Sequence, residues 1–246
     1  MKPSIGQFPT SLYNNTSGNP IMNFNQSPAG HAGLAGAVLF AASALLNCAH
    51  AAPVVDAAND FIASFTGARN GDLDILSTFA TFDGTAFRIG GTMNGAIGTT
   101  NPSLYVMGIN RGAGTAAFAS VGLSNVLFDT VITMTGAGVT AGRNTTTSTA
   151  FSLPAGSALI SGPSFEIVIP LASLPASAGL APTQYGFNLW TRDQSQSGTA
   201  ALADFAPNNA TFAATVPEPL SLGLMVAGLL GLGLSRRCTG CSREAS

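Results

Sequence analysis

The stretch Phe165-Glu166-Ile167-Val168-Ile169 decides the fold class of this chain. In an extended strand successive side chains point to opposite faces, so Phe165, Ile167 and Ile169 share one face. Alternation with a period of two residues is typical of a strand with one face in the core and one toward solvent. Glu166 lies opposite the apolar face, where we expect it to be solvated.

The same alternation recurs at Tyr185, Phe187 and Leu189. Short β-prone runs separated by Gly, Asn, Asp and Pro fill the region between Asp60 and Thr191. We therefore predict an all-β domain, an antiparallel β-sandwich of the jelly-roll or Ig-like type. The predicted strands are Asp60–Thr66, Leu73–Phe82, Ala86–Met93, Leu104–Ile109, Val126–Met134, Ala150–Leu153, Phe165–Leu171 and Tyr185–Trp190.

Three connections carry local signals. Asp83-Gly84, between two β-prone runs, predicts a hairpin turn. Leu171–Leu174 has room for at most one helical turn before the next proline, and Gly136–Ser148 is predicted to be a long exposed loop because its residues are small and polar.

Composition excludes several classes of function. Charged residues make up 8% of the 246 residues, and Lys2 is the only lysine, which argues against binding of nucleic acid. The region 52–215 contains no Cys, His or Lys, so it lacks the residues for Ser-His-Asp, Cys-His or Ser-Lys catalysis and for zinc hydrolysis. Hydrolysis of glycosides by two carboxylates is the chemistry left. We predict that the domain is not an enzyme, with a carboxylate glycosidase as the least favoured alternative.

The N-terminal part predicts export. Residues 1–31 are polar and rich in Pro, Gly and Asn, which indicates a disordered leader or an upstream extension. Residues 32–51 contain an apolar run shorter than the roughly 20 residues of a spanning helix, which favours a signal peptide over an anchor. Ala49 and Ala51 match the small-x-small pattern of signal peptidase, so the mature chain would begin at Ala52. The alternative is a buried helix.

The C-terminal region 216–246 has three parts, which are Val216-Pro217-Glu218-Pro219, the apolar run Leu220–Leu234 and the pair Arg236 and Arg237. As a helix the apolar run would be roughly 22 Å long, which spans a locally thinned membrane. Prolines prevent the helix from extending backwards, and the arginines predict a cytoplasmic C-terminus. The β domain, 52–215, would then lie outside the inner membrane.

In their order and position these three parts closely resemble the PEP-CTERM sorting signal of Gram-negative bacteria. The resemblance implies recognition by an exosortase and cleavage near Pro217-Glu218-Pro219. It also implies transient anchoring in the inner membrane and release to the cell surface or into an extracellular exopolysaccharide or biofilm matrix. The alternative is a permanent single-pass anchor. The upstream domain is similar to exported β-sandwich domains of the carbohydrate-binding type.

Aromatic residues suggest a binding function as the main alternative. Tyr105, Tyr185 and Trp190 could form a stacking platform for sugar rings, with Arg192 bonding to hydroxyl groups. The competing interpretation places Trp190, the only tryptophan, in the core.

A group of aspartates suggests calcium as the one candidate cofactor. Asp72 and Asp74 follow Asn70-Gly71 and would point the same way on an extended segment. Carboxylates and loop carbonyls are the ligands that Ca²⁺ prefers. The competing interpretation is that both aspartates form turns and strand edges.

Overall fold

The computed structural model describes residues 52–216 and 228–229. In residues 52–216 short strands pair antiparallel in two sheets, which confirms the all-β class. The strands are β1 Val54–Val55, β2 Ile75–Phe82, β3 Ala86–Met93, β4 Ser103–Asn110, β5 Thr130–Thr135, β6 Gly138–Asn144, β7 Ala150–Phe151, β8 Ala158–Ser161, β9 Ser164–Pro170, β10 Gly186–Asp193, β11 Leu202–Ala206 and β12 Phe212–Ala213.

The strands are divided between sheet A and sheet B. Sheet A has the order β1-β2-β3-β9-β8, with β9 beside β3 so that Ile167 pairs with Ile89. Sheet B has the order β11-β10-β4-β5-β6-β7. The short strand β12 pairs with β10 at Gly186 and Phe187. Because β4 pairs with the whole of β10, β11 and β12 share the other edge of that strand.

One apolar core lies between the sheets, and the alternation seen in the sequence builds it. Ile167 and Ile169 of β9 and Leu189 of β10 have no exposed surface. Burial of such a side chain contributes about 1.5–3 kcal/mol. The same core contains Ile75, Ala80, Phe82, Phe87, Ile89, Met93, Tyr105, Met107, Ile109, Ile132, Met134, Phe165, Leu174, Tyr185, Phe187, Ala206 and Ala214.

A second apolar cluster covers the outer face of sheet B. Trp190 of β10 and Val106 of β4 lie on this face and pack with Phe205 of β11. The connection between β4 and β5 covers them with Val126 and Phe128. Strands β4 and β10 are therefore buried on both faces, so most of their residues are buried, including the polar Asn188 and Thr191 of β10.

Local signals for the turns are confirmed. Between β2 and β3, Gly84 has φ of 97°, a conformation that favours glycine. Asp83 Oδ1 accepts hydrogen bonds from the backbone N–H groups of Thr85 and Ala86. A single 3₁₀ turn at Leu171–Ser173 follows β9, as expected.

Two predictions about strands are wrong. Asp60–Thr66 forms turns and pairs with no strand. The rings of Phe61 and Phe65 stack with their centroids 5.6 Å apart, whereas residues four apart in an extended strand are about 13 Å apart. Most of the predicted loop Gly136–Ser148 forms β6, which pairs with β5 through backbone groups. Small side chains did not prevent this pairing because the ladder uses the backbone.

Besides β6, four strands had no prediction. One of them is β1, which is only two residues long. Strand β11 lacks alternation because all five of its residues are buried. Strand β8 is only four residues long, and β12 only two.

Both ends of the described domain complete the same edge of β2. Val54 and Val55 of β1 pair with Thr78 and Ser77. Further along β2, the Thr215 N–H donates to Ala80 O, and Phe82 N–H donates to Thr215 O, each at 2.9 Å.

The predicted signal peptide 32–51 lies outside the described residues. So does the predicted membrane helix 220–234, apart from the helical Gly228 and Leu229. Within the described residues the structure contains no helix with the length and apolar character needed to span a membrane.

Candidate functional site

The aromatic residues predicted as a sugar platform are buried. Tyr105 and Tyr185 lie in the core between the sheets, whereas Trp190 lies in the cluster on the opposite face of sheet B. Their exposures of 0%, 2% and 3% leave no ring face for a sugar. Only Arg192 is partly exposed. The platform is therefore not formed, and Trp190 has the core position that was its competing interpretation.

The two aspartates predicted to bind calcium belong to separate hydrogen-bond networks. Asp72 accepts hydrogen bonds from Thr100 N, Thr100 Oγ1 and Tyr105 Oη at 2.7, 2.6 and 3.1 Å. Asp74 accepts from the Asn59 backbone and from Asn94 Nδ2. Because protein donors occupy these carboxylates, they tie loops to strands, as the competing interpretation holds.

A different acidic group lies where the N-terminal segment meets sheet B. Oxygen atoms of Asp56, Asp60 and Asp204 all lie within 4.8 Å of one another, and we call these three residues the acidic cluster. Asp204 comes from β11, while the other two follow β1. Asp56 N–H donates to Leu76 O, which fixes its backbone against β2.

Burial is uneven across the acidic cluster. Asp204 has no exposed surface, and each of its oxygens accepts one backbone hydrogen bond, from Ile75 N–H and Phe205 N–H at 2.7 Å. Asp56 and Asp60 are partly exposed as residues, but Asp56 Oδ2 and Asp60 Oδ1 are shielded from solvent and have no hydrogen-bond partner. A buried acceptor left unsatisfied costs about 1–3 kcal/mol, and more if it is charged.

One neutral side chain caps the acidic cluster from outside. Asn208 Nδ2 donates to Asp60 Oδ2 at 2.8 Å and to Asp56 Oδ1 at 3.4 Å. Ion pairs do occur in residues 52–216, but they join Arg88 to Glu166 and Arg111 to Asp129. Within that described region, therefore, no arginine side chain pairs with the acidic cluster.

The surroundings favour the neutral form of two of these carboxyl groups. Burial raises the pKa of Asp204 to about 8, with further increases from the charges of Asp56 and Asp60. Burial also raises the pKa of Asp56 to about 7, and the charges of Asp60 and Asp74 add to the effect. Both pKa values rise because burial removes water from the carboxylates and because like charges lie close to one another.

This arrangement can hold a proton or a cation, because either would reduce the repulsion among the three carboxylates. It is poorly suited to acid–base catalysis on a substrate, since the two unpartnered oxygens are shielded from solvent. Among the residues of 52–216, Asp56, Asp60 and Asp204 form the group that could hold a metal ion.

Sequence reasoning did not bring Asp56, Asp60 and Asp204 together, and it named neither Asp56 nor Asp204 as a candidate. Asp204 lies in the run Leu202-Ala203-Asp204-Phe205-Ala206, where a charged residue among apolar ones was the available signal of a buried carboxylate. Nothing local connects that run to residues near the start of the domain.

No protein-family model, curated protein or solved structure matches this chain.

Proposed function

We propose that this chain is an exported, non-enzymatic β-sandwich protein of the cell surface or extracellular matrix, sorted by its C-terminal signal. One observation carries the proposal. Among the described residues the first paired residue is Val54, two residues after the predicted mature N-terminus at Ala52, and the last is Thr215, two residues before Pro217-Glu218-Pro219. The two predicted cleavage sites therefore flank a folded unit.

Cleavage at these two sites would leave the sandwich complete. A cut after Ala51 keeps both residues of β1 on the edge of β2. A cut near Pro217 keeps Thr215, whose backbone hydrogen bonds close the other part of that edge. Val216 is 53% exposed, so this end of the described domain lies at the surface. An enzyme acting on the motif would release a protein that retains all twelve strands.

The rest of the proposal extends from the tail. Residues 220–234 would anchor the chain in the inner membrane until an exosortase acts, and the released sandwich would join an exopolysaccharide matrix. The assignment of the sandwich to a jelly-roll or Ig-like type stays a prediction.

Intact mass of the protein from envelope and medium tests the proposal. The expected mass corresponds to a chain from Ala52 to a residue near Pro217. Glu218→Gln should keep the tail attached and the protein in the envelope, whereas the matched variant Glu166→Gln should be processed normally. Released protein that still carries residues 220–234, or equal processing of both variants, would refute sorting by the motif.

A further inference from the structure

We propose that Asp56, Asp60 and Asp204 form a binding site for a hard divalent cation, and that the ion is Ca²⁺. The proposal does not depend on export or on the C-terminal tail. It rests on three features of the acidic cluster, which are the spacing of its oxygens, its unfilled acceptor sites and its position in the fold.

The spacing suits one shared ion. Oxygens of the three carboxylates lie within 4.8 Å of one another. Ligands that bind one Ca²⁺ at about 2.3–2.6 Å are at most about 5 Å apart, so the ion can bridge the three groups where they stand. Three carboxylates carry formally three negative charges, and a divalent ion compensates most of that charge.

Unfilled acceptor sites point to a ligand independently of the spacing. Asp56 Oδ2 and Asp60 Oδ1 are shielded from solvent and receive no hydrogen bond. Asp204 is entirely buried, and its two oxygens accept one backbone hydrogen bond each. Since a carboxylate offers about four acceptor positions, each Asp204 oxygen keeps one free. A cation would fill these sites together, while a proton can fill only one of them.

Ligand chemistry selects the ion. All three side chains offer hard oxygen atoms, which suit Ca²⁺ or Mg²⁺ rather than zinc or copper. Two ligands come from an irregular segment and one from a strand, so the geometry is irregular. Ca²⁺ accepts irregular shells of six to eight oxygens, whereas Mg²⁺ demands a near-ideal octahedron. Water can complete the shell, and Asn208 can add its Oδ1 by rotating its amide group, whose Nδ2 donates to Asp60 and Asp56 in this structure.

The position of the site predicts a structural role for the ion. Asp56 and Asp60 belong to the N-terminal segment. This segment is also held near β11 by the hydrogen bond from Ile62 N–H to Ala203 O at 2.9 Å and by the packing of Phe61 and Phe65 with Ala203. An ion bound also by Asp204 would fasten this segment to β11. Binding of Ca²⁺ should therefore stabilise the whole domain, and above the Kd the gain should grow with the logarithm of the free ion concentration.

Calorimetric titration of the full chain with CaCl₂, after removal of metal with a chelator, tests the proposal. Detergent keeps the apolar tail in solution. We expect one Ca²⁺ per chain, a higher melting temperature in Ca²⁺ than in chelator, and weaker binding of Mg²⁺. Asp60→Asn should weaken Ca²⁺ binding at least tenfold. This variant is preferred to a change at Asp204, because Asp204 is fully buried and accepts a structural hydrogen bond from Ile75 N–H.

Asp83→Asn is the matched control, because it makes the same chemical change at an exposed turn. It should leave Ca²⁺ binding unchanged. Absence of binding at millimolar Ca²⁺, or an equal loss of binding in both variants, would overturn the site. Tighter binding of Mg²⁺ than of Ca²⁺ would overturn the choice of ion.

Discussion

The Arg111–Asp129 pair and the acidic cluster both place charge inside the sandwich, but only the pair contains its own counter-charge. Arg111 is 1% exposed, and its Nε lies 2.9 Å from Asp129 Oδ1. The second oxygen, Oδ2, accepts from the N–H groups of Arg111 and Ala113. Thr130 Oγ1 adds a further donor to Oδ1.

The acidic cluster has fewer donors for more charge. Asp204 receives two hydrogen bonds where Asp129 receives four, and Asp60 Oδ1 receives none. Buried charge is tolerated when a counter-charge and donors accompany it. The difference suggests that the pair is a complete structural link, whereas the cluster requires a proton or an ion.

The largest effect is expected from removing the counter-charge of the pair. Arg111→Ala leaves Asp129 buried without its cation and also removes the donors to Pro175 O and Ala176 O. We expect a loss of about 3–5 kcal/mol of unfolding free energy, because a lone buried charge is strongly destabilising. Urea unfolding at pH 7 measures it. A loss below about 1 kcal/mol would contradict the view that the pair is a structural link.

The pH dependence of stability should report on the acidic cluster. Unfolded carboxyls lose their protons near 3.8, whereas the raised pKa values of Asp56 and Asp204, about 7 and about 8, keep both protonated longer in the folded chain. The folded state therefore holds more protons between pH 4 and 8, and stability falls as pH rises.

One pKa unit corresponds to about 1.4 kcal/mol. Partial solvation and coupling to Asp60 and Asp74 reduce the summed contribution of Asp56 and Asp204 to the unfolding free energy. We therefore expect the unfolding free energy to fall by on the order of 2–3 kcal/mol between pH 5 and 8. Urea unfolding in chelator across this range measures the fall. Added Ca²⁺ should reduce the dependence, since the ion replaces the protons. If stability in chelator rises from pH 5 to 8, the view that the carboxylate charges of the acidic cluster lack compensation is wrong.

A smaller effect on stability is expected when the acidic cluster gains a hydrogen-bond donor. Asp60→Asn removes one negative charge and brings an N–H₂ group beside Asp56, so in chelator at pH 8 it should stabilise the chain by about 1 kcal/mol. In Ca²⁺ the same variant should be less stable than the natural protein. Thermal unfolding in both conditions measures the reversal. Destabilisation by Asp60→Asn in chelator would show that the cluster is not strained by its charges.

The smallest effect is expected at the exposed ion pair. Arg88 Nη1 lies 2.7 Å from Glu166 Oε1, but the two side chains are 53% and 34% exposed. Arg88→Ala should cost less than about 1 kcal/mol, because water screens such pairs. Urea unfolding of Arg88→Ala and Arg111→Ala under the same conditions measures both losses of stability. Their difference shows how much burial changes the contribution of an arginine–carboxylate ion pair. Equal losses in the two variants would remove burial as the explanation.

Much of the sheet structure could be predicted because its signal is local. The alternation in Phe165–Ile169 placed β9, and the Asp83-Gly84 turn placed the hairpin between β2 and β3. The competing interpretation of Trp190 as a core residue also proved right.

Predictions failed where segments distant in the sequence determine which residues are buried or paired. Strand β11 is covered on both faces, so its sequence does not alternate. Strand β6 is held by backbone pairing with β5, which needs no large side chains. Tyr105 and Tyr185 look like binding residues in the sequence, but the facing sheet buries them.

The sequence by itself determined the all-β class and the face that each alternating strand turns to the core, because these depend on neighbouring residues and the geometry of the extended chain. Only the tertiary structure decided which charges meet. Asn208 reaches Asp60 across 148 positions of sequence, and Asp204 joins the same group from β11. Spacing along the chain says nothing about such a meeting, since it is the pairing of the sheets and the docking of the N-terminal segment that bring these carboxylates together.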